Sequence, residues 1–327
     1  MSLKIYKPEV FQGNLKKKNY FEGWYFKHVS SDLKHVWSFI PGISLTKNDS
    51  HAFIQVINGI TGDSEYISYN IDEFKWDKKS LFLKIRNSVF TGKYIDLNID
   101  NEKLEVTGHL EYANNITYPG NIFSPGIMGW YSFVPFMECK HGVVSVNHDV
   151  TGSLTINRNE VDFNNGKGYI EKDWGTSFPE AWLWVQANNF NDRNSSFHFS
   201  VAKIPWLGKY FIGFIAFLYY NNRFYMFSTY NNSVISEIKH SPGTIDFILE
   251  NRTNRLVINL MKSTFGELRA PVSGDMSRRI KESIDSEVTL SLYDKHENLI
   301  YYDSSKRAGL ECVEKIFEYL NNEISFH

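Results

Sequence analysis

Gly168-Tyr169-Ile170-Glu171-Lys172-Asp173-Trp174-Gly175, followed by Phe178-Pro179 and then Trp182-Leu183-Trp184-Val185-Gln186, is the stretch from which this chain is best read. As a strand it places Tyr169, Glu171 and Asp173 on one face, because side chains alternate along extended backbone. A phenol and two carboxyls then stand side by side, ahead of a proline turn and a second strand carrying two tryptophans. Close carboxyls raise one another's pKa, and aromatic walls add desolvation, so one acid can keep its proton at neutral pH. The pattern is that of an acid site in an aromatic pocket.

Working outward, most of the chain alternates in the same way. Ile95, Leu97 and Ile99 alternate with Asp96, Asn98 and Asp100, and Val288, Leu290 and Leu292 repeat the pattern later. Leu154 and Ile156 pair with Val161 and Phe163 across Asn157-Arg158-Asn159, a predicted hairpin. Many short strands separated by Asn- and Gly-containing turns predict barrels or sandwiches. Residues 304–321 break the rule: Leu310, Val313, Ile316, Phe317 and Leu320 fall at helical spacing and predict a C-terminal helix. Tyr118-Pro119-Gly120 and Ser124-Pro125-Gly126 predict a long loop able to cover a pocket mouth. The expected division is 1–165 and 166–327.

Bulk properties exclude several function classes. At 327 residues the chain exceeds a usual single domain. A formal net charge of −2 gives no basic footprint for nucleic acid. An aromatic content of 16% suits strands that enclose an apolar ligand, so an apolar small molecule is the expected partner. Two cysteines, Cys139 and Cys312, make no disulfide framework. The first residues lack a signal-peptide pattern, and the longest apolar run, 211–220, is too short for a membrane span. The expected protein is cytoplasmic, without a transmembrane segment. No zinc motif, phosphate loop or Gly-x-Ser-x-Gly elbow is present, so neither metal nor cofactor is expected.

The opening motif also resembles something known. Tyr169-x-Glu171-Lys172-Asp173-Trp174-Gly175, Phe178-Pro179, Trp182-x-Trp184 and Gln186 resemble the core motif of the tocopherol cyclase family. Tyr20-Phe21-Glu22-Gly23-Trp24-Tyr25-Phe26-Lys27 resembles that family's first motif, and Leu268-Arg269-Ala270-Pro271 a late one. Asp173 stands where the family motif usually carries Asn. The resemblance implies an all-β fold of two lipocalin-like antiparallel β-barrels, shared with a wider group that includes carotenoid hydratases. It also implies a cofactor-free enzyme that cyclises a prenylated hydroquinone by protonating an alkene.

On this reading Glu171, Asp173, Tyr169 and His148 are the candidate catalytic residues. Trp24, Trp174, Trp182, Trp184, Gln186 and Glu22 are the candidate substrate-binding residues, the indoles flanking a developing cation. Structural alternatives stand beside each role. Glu171 can be a lysine-paired strand acid, and Glu22 can form an ion pair with Arg269. Trp182 and Trp184 can be core packing, and His148 a hydrogen-bonded strand residue. Two other functions share the pocket: a carrier of an apolar molecule, and a hydratase or isomerase of another polyene.

Overall fold

The computed structural model describes residues 3–135, 137–263 and 265–324. The chain forms two compact units, residues 1–178 with 267–279, and 179–266 with 280–327. The strand Gly166–Gly175 and the following residues to Phe178 thus belong to the first unit, where the expected boundary lay near residue 165. Each unit is an antiparallel lipocalin-like barrel.

Among the described residues the first barrel is a 12-stranded sheet. A meander of Tyr20–Val29, Val36–Leu45, Ser50–Asn58 and Ser64–Asn70 forms one side. The other side runs from Gly166–Gly175 through Cys139–Ile156, Glu105–Ile116 and Tyr94–Asp100 to the short strands of residues 74–91. The halves join where Tyr20–Val29 pairs with Gly166–Gly175, so the two strands carrying the sequence motifs lie side by side at the seam. Alternation packs the interior: Trp24, Phe26, Phe39, Ile54, Ile95, Ile99, Leu154 and Ile170 share one buried cluster. The predicted hairpin is present, with Leu154 opposite Val161 and its turn made by Asn157 and Arg158, both left-handed at φ 49° and 68°.

The second barrel repeats the scheme. Trp182–Ala187, its first strand, pairs with Leu299–Cys312, its last. Leu183, Val185, Ala187, Phe199, Leu290 and Leu310 fill its interior. The C-terminal helix is present but shorter than its spacing predicted. Residues 299–312 are a strand, and the helix is Ile316–Ile324, with Ile316, Phe317 and Leu320 in the core. Register shifts opposite this strand, between Ser283 and Ser286 and between Ser286 and Val288, disturb the two-residue period that would have revealed it. Among the described residues no helix is long and apolar enough to cross a membrane.

Candidate active site

The site is built on the seam strand Gly166–Gly175. Its register places Tyr25 opposite Glu171 on one side, and Val143 opposite Glu171 and His141 opposite Asp173 on the other. Ile170 points into the barrel core, so Tyr169, Glu171 and Asp173 point away from it. They are nevertheless sheltered: Tyr169 and Glu171 are buried, and Asp173 keeps only a quarter of its side chain exposed.

These side chains bond to one another. The Tyr169 hydroxyl donates to Glu171 Oε2 at 2.6 Å. Burial and the adjacent Glu171 charge push the Tyr169 phenol well above its ordinary pKa, so it remains a donor. His141 Nδ1 lies 2.9 Å from Asp173 Oδ1, and its Nε2 lies 3.6 Å from Glu171 Oε2. An imidazole therefore stands between the two carboxyls, one ring nitrogen towards each. Two hydrogen-bonded pairs, Tyr169–Glu171 and His141–Asp173, thus meet through the imidazole. His141 is not among the residues that the sequence pattern singles out. Its facing of Asp173 follows from the register between Cys139–Ile156 and Gly166–Gly175, which the sequence does not disclose. His141 and Trp174 also line a cavity of about 240 Å³ with Met128 and Lys140.

The opposite face of the same strand has a different task. Lys172 and Glu22 have fully buried side chains, with Lys172 Nζ 2.5 Å from Glu22 Oε1. Lys172 also donates to the carbonyls of Pro8 and Val10, and its ammonium lies 4.5 Å from the Trp24 ring centre and 4.8 Å from that of Trp174. Glu22 accepts from the backbone N–H groups of Gln12 and Gly13 and from the Tyr20 hydroxyl. The Trp24 indole donates to Glu9 O at 2.9 Å. Glu22, Trp24, Lys172 and Trp174 thus clasp residues 8–13 to the barrel. Burial brings the Lys172 pKa down to about 8, against the opposing pull of Glu22. The partner of Glu22 is Lys172 and not Arg269, which lies over the Tyr66 ring at 4.4 Å.

His148 is apart from the acids. It lies opposite Gly168, on the interior face, with Ser145 Oγ 2.7 Å from its Nδ1 and the Tyr112 ring centre 4.3 Å away. A Cβ on residue 168 would come within 2.0 Å of His148 Nε2, so glycine is needed there. His28 joins the group through a 2.6 Å contact between Nε2 and the Tyr112 hydroxyl. Burial pulls His28 down to about 3 and His148 well below the usual imidazole value, with the His28 and Lys167 charges adding to the effect on His148. Both histidines are neutral in the folded protein, whereas in the unfolded chain they bind protons below about pH 6.5. Their contribution is complete above pH 6.5 and is lost as pH falls towards the folded values. Chemical denaturation between pH 6 and 4 is expected to show stability falling by up to about 1.4 kcal/mol per pH unit per histidine. The slope should shrink in His148→Gln; an equal slope in both proteins would contradict this account.

In the second barrel, Trp182, Trp184 and Gln186 lie on the face of their strand opposite the core residues Leu183 and Val185, and all three are buried. The Trp182 indole donates to Glu311 Oε2 at 2.8 Å. Trp184 lies edge-on to His198, which stacks on Phe217 at 5.7 Å between ring centres. His198, opposite Gln186 in register, is not singled out by the sequence pattern.

Comparison with known proteins agrees with the core and late motifs. A model of the family described as "Tocopherol cyclase-like" matches residues 100–313. The chloroplastic tocopherol cyclase of Zea mays is 26% identical over 209 residues, 61% of this chain and 43% of that protein. A probable chloroplastic tocopherol cyclase of Oryza sativa subsp. japonica is 26% identical over 220 residues, 63% of this chain and 46% of that protein. The match thus spans less than half the length of either plant relative. Among solved structures, CghA with Sch210972 superimposes with a TM-score of 0.54 at 10% identity, covering 90% of this chain and 88% of that one. Kievitone hydratase from Nectria haematococca gives 0.50 at 10% identity, covering 94% of each. These two likenesses carry the fold alone, and the family match carries the rest: the chain belongs to the tocopherol cyclase-like family.

Proposed function

We propose that this protein is a cofactor-free acid catalyst that cyclises a prenylated hydroquinone or a similar alkene. The observation that carries the reading is the meeting of two hydrogen-bonded pairs, Tyr169–Glu171 and His141–Asp173, on the motif strand and its neighbour in a tocopherol cyclase-like chain, with His141 Nε2 3.6 Å from Glu171. A carboxyl of the Glu171–Asp173 pair gives its proton to the less substituted carbon of a trisubstituted alkene. The tertiary cation is captured by the substrate's own phenol oxygen, closing a C–O bond. The phenol proton then returns to the carboxylate, so the product is an isomer of the substrate and the enzyme is restored. Tyr169 orients Glu171, and His141 links the two carboxyls so that either can be resupplied with a proton. Shelter from bulk water protects the cation from capture by solvent.

The test is incubation with a short-chain prenylated methylhydroquinone, followed by chromatography and mass analysis. A product of altered retention and unchanged mass is expected. A product heavier by one water would instead assign a hydratase. Tight binding of the substrate with no product at all would assign a carrier.

A further inference from the structure

The loop that follows Glu105–Ile116 reaches the acid site through Met128, whose sulfur accepts from the His141 backbone N–H at 3.1 Å, but its tip carries large apolar side chains in water. Ile122 is 73% exposed and Phe123 83% exposed at its tip, and Trp130 is half-exposed further along. Neighbouring large apolar side chains held in water mark a surface that meets something apolar. The loop also lines an open cavity of about 960 Å³ on the first barrel, in which Ile122, Tyr118 and Val144 supply apolar wall. Three exposed lysines stand at this opening: Lys79 and Lys93 line it, and Lys7 donates to the Lys79 carbonyl at 3.0 Å. Glu9 is the carboxyl in the lining, and burial raises its pKa.

Apolar tips beside three ammonium groups match one kind of partner, a bilayer surface bearing anionic headgroups. We infer that residues 117–133 dock the first barrel on an anionic lipid surface, Ile122 and Phe123 entering the acyl boundary while Lys79 and Lys93 meet headgroup phosphates. The open cavity beside the loop then faces the membrane, where an apolar amphiphile enters it without crossing water. This goes beyond the catalytic reading and needs no turnover to be tested.

The experiment is flotation of the full chain with vesicles of phosphatidylcholine alone, or of phosphatidylcholine mixed with phosphatidylglycerol. Binding is expected to the mixed vesicles, weakening as salt screens the lysines. Ile122→Ser with Phe123→Ser should lower partitioning by about tenfold or more, and Lys79→Glu with Lys93→Glu should remove the salt-sensitive part. These side chains are exposed, so an unchanged melting temperature establishes that both variants are folded. Absence of flotation, or equal flotation of the Ser variant, would overturn the inference. So would sedimentation showing that Ile122 and Phe123 hold two copies of the chain together, since the patch would then be a protein interface.

Discussion

Lys172→Met is expected to destabilise the protein by about 3–5 kcal/mol, because it leaves Glu22 charged, fully buried and without its counter-ion. For a unit of this size that corresponds to a fall in melting temperature of roughly 10 °C. The same change frees the carbonyls of Pro8 and Val10, so residues 8–13 should become the first site of proteolytic cutting. Adding Glu22→Gln to Lys172→Met should recover part of the loss, since no unpaired charge then remains. Differential scanning calorimetry of the single and double variants decides the matter. An unchanged melting temperature in Lys172→Met would show that the clasp contributes nothing.

Glu171→Gln should behave in the opposite way, with large functional and small structural consequences. The amide preserves shape and can still accept from Tyr169, but it carries no transferable proton. General acid catalysis contributes about 10²- to 10⁴-fold, so turnover should fall by that order while the melting temperature stays close to that of the wild type. Asp173→Asn is expected to reduce turnover too, because Asp173 holds the imidazole that links the pair. A Glu171→Gln variant with full activity would remove the carboxyl from the mechanism.

The contrast between Lys172 and Glu171, adjacent in sequence, marks what the chain discloses unaided. Period-two alternation separates them onto opposite faces of one strand, and that much is readable from residues 168–175 alone. The strands around Ile95, Leu154 and Val288 are readable for the same reason, since each buries one face. What alternation cannot supply is register between distant strands. The facing of His141 and Asp173 depends on how Cys139–Ile156 slides against Gly166–Gly175, with bulges between Val143 and His148. Such bulges have no fixed residue signature, so the imidazole between the acids emerges only in the folded chain. His148 shows the converse. It is nearby in sequence and suitable in chemistry, but the same irregular strand turns it into the barrel beside Tyr112. The helix expected over 304–321 takes in the end of the strand Leu299–Cys312 because Leu310, Val313 and Phe317 span the end of a strand, a turn and the start of a helix with an accidental spacing.

The central claim is that a proton from the Glu171–Asp173 pair reaches an alkene carbon. Single turnover of a prenylated methylhydroquinone in deuterated buffer tests it directly, by mass analysis of the ring-closed product. The account predicts one deuteron per product molecule, on the carbon beside the new C–O bond, formed by the wild type and lost in Glu171→Gln. A ring-closed product without deuterium, or one formed equally fast by Glu171→Gln, would contradict it.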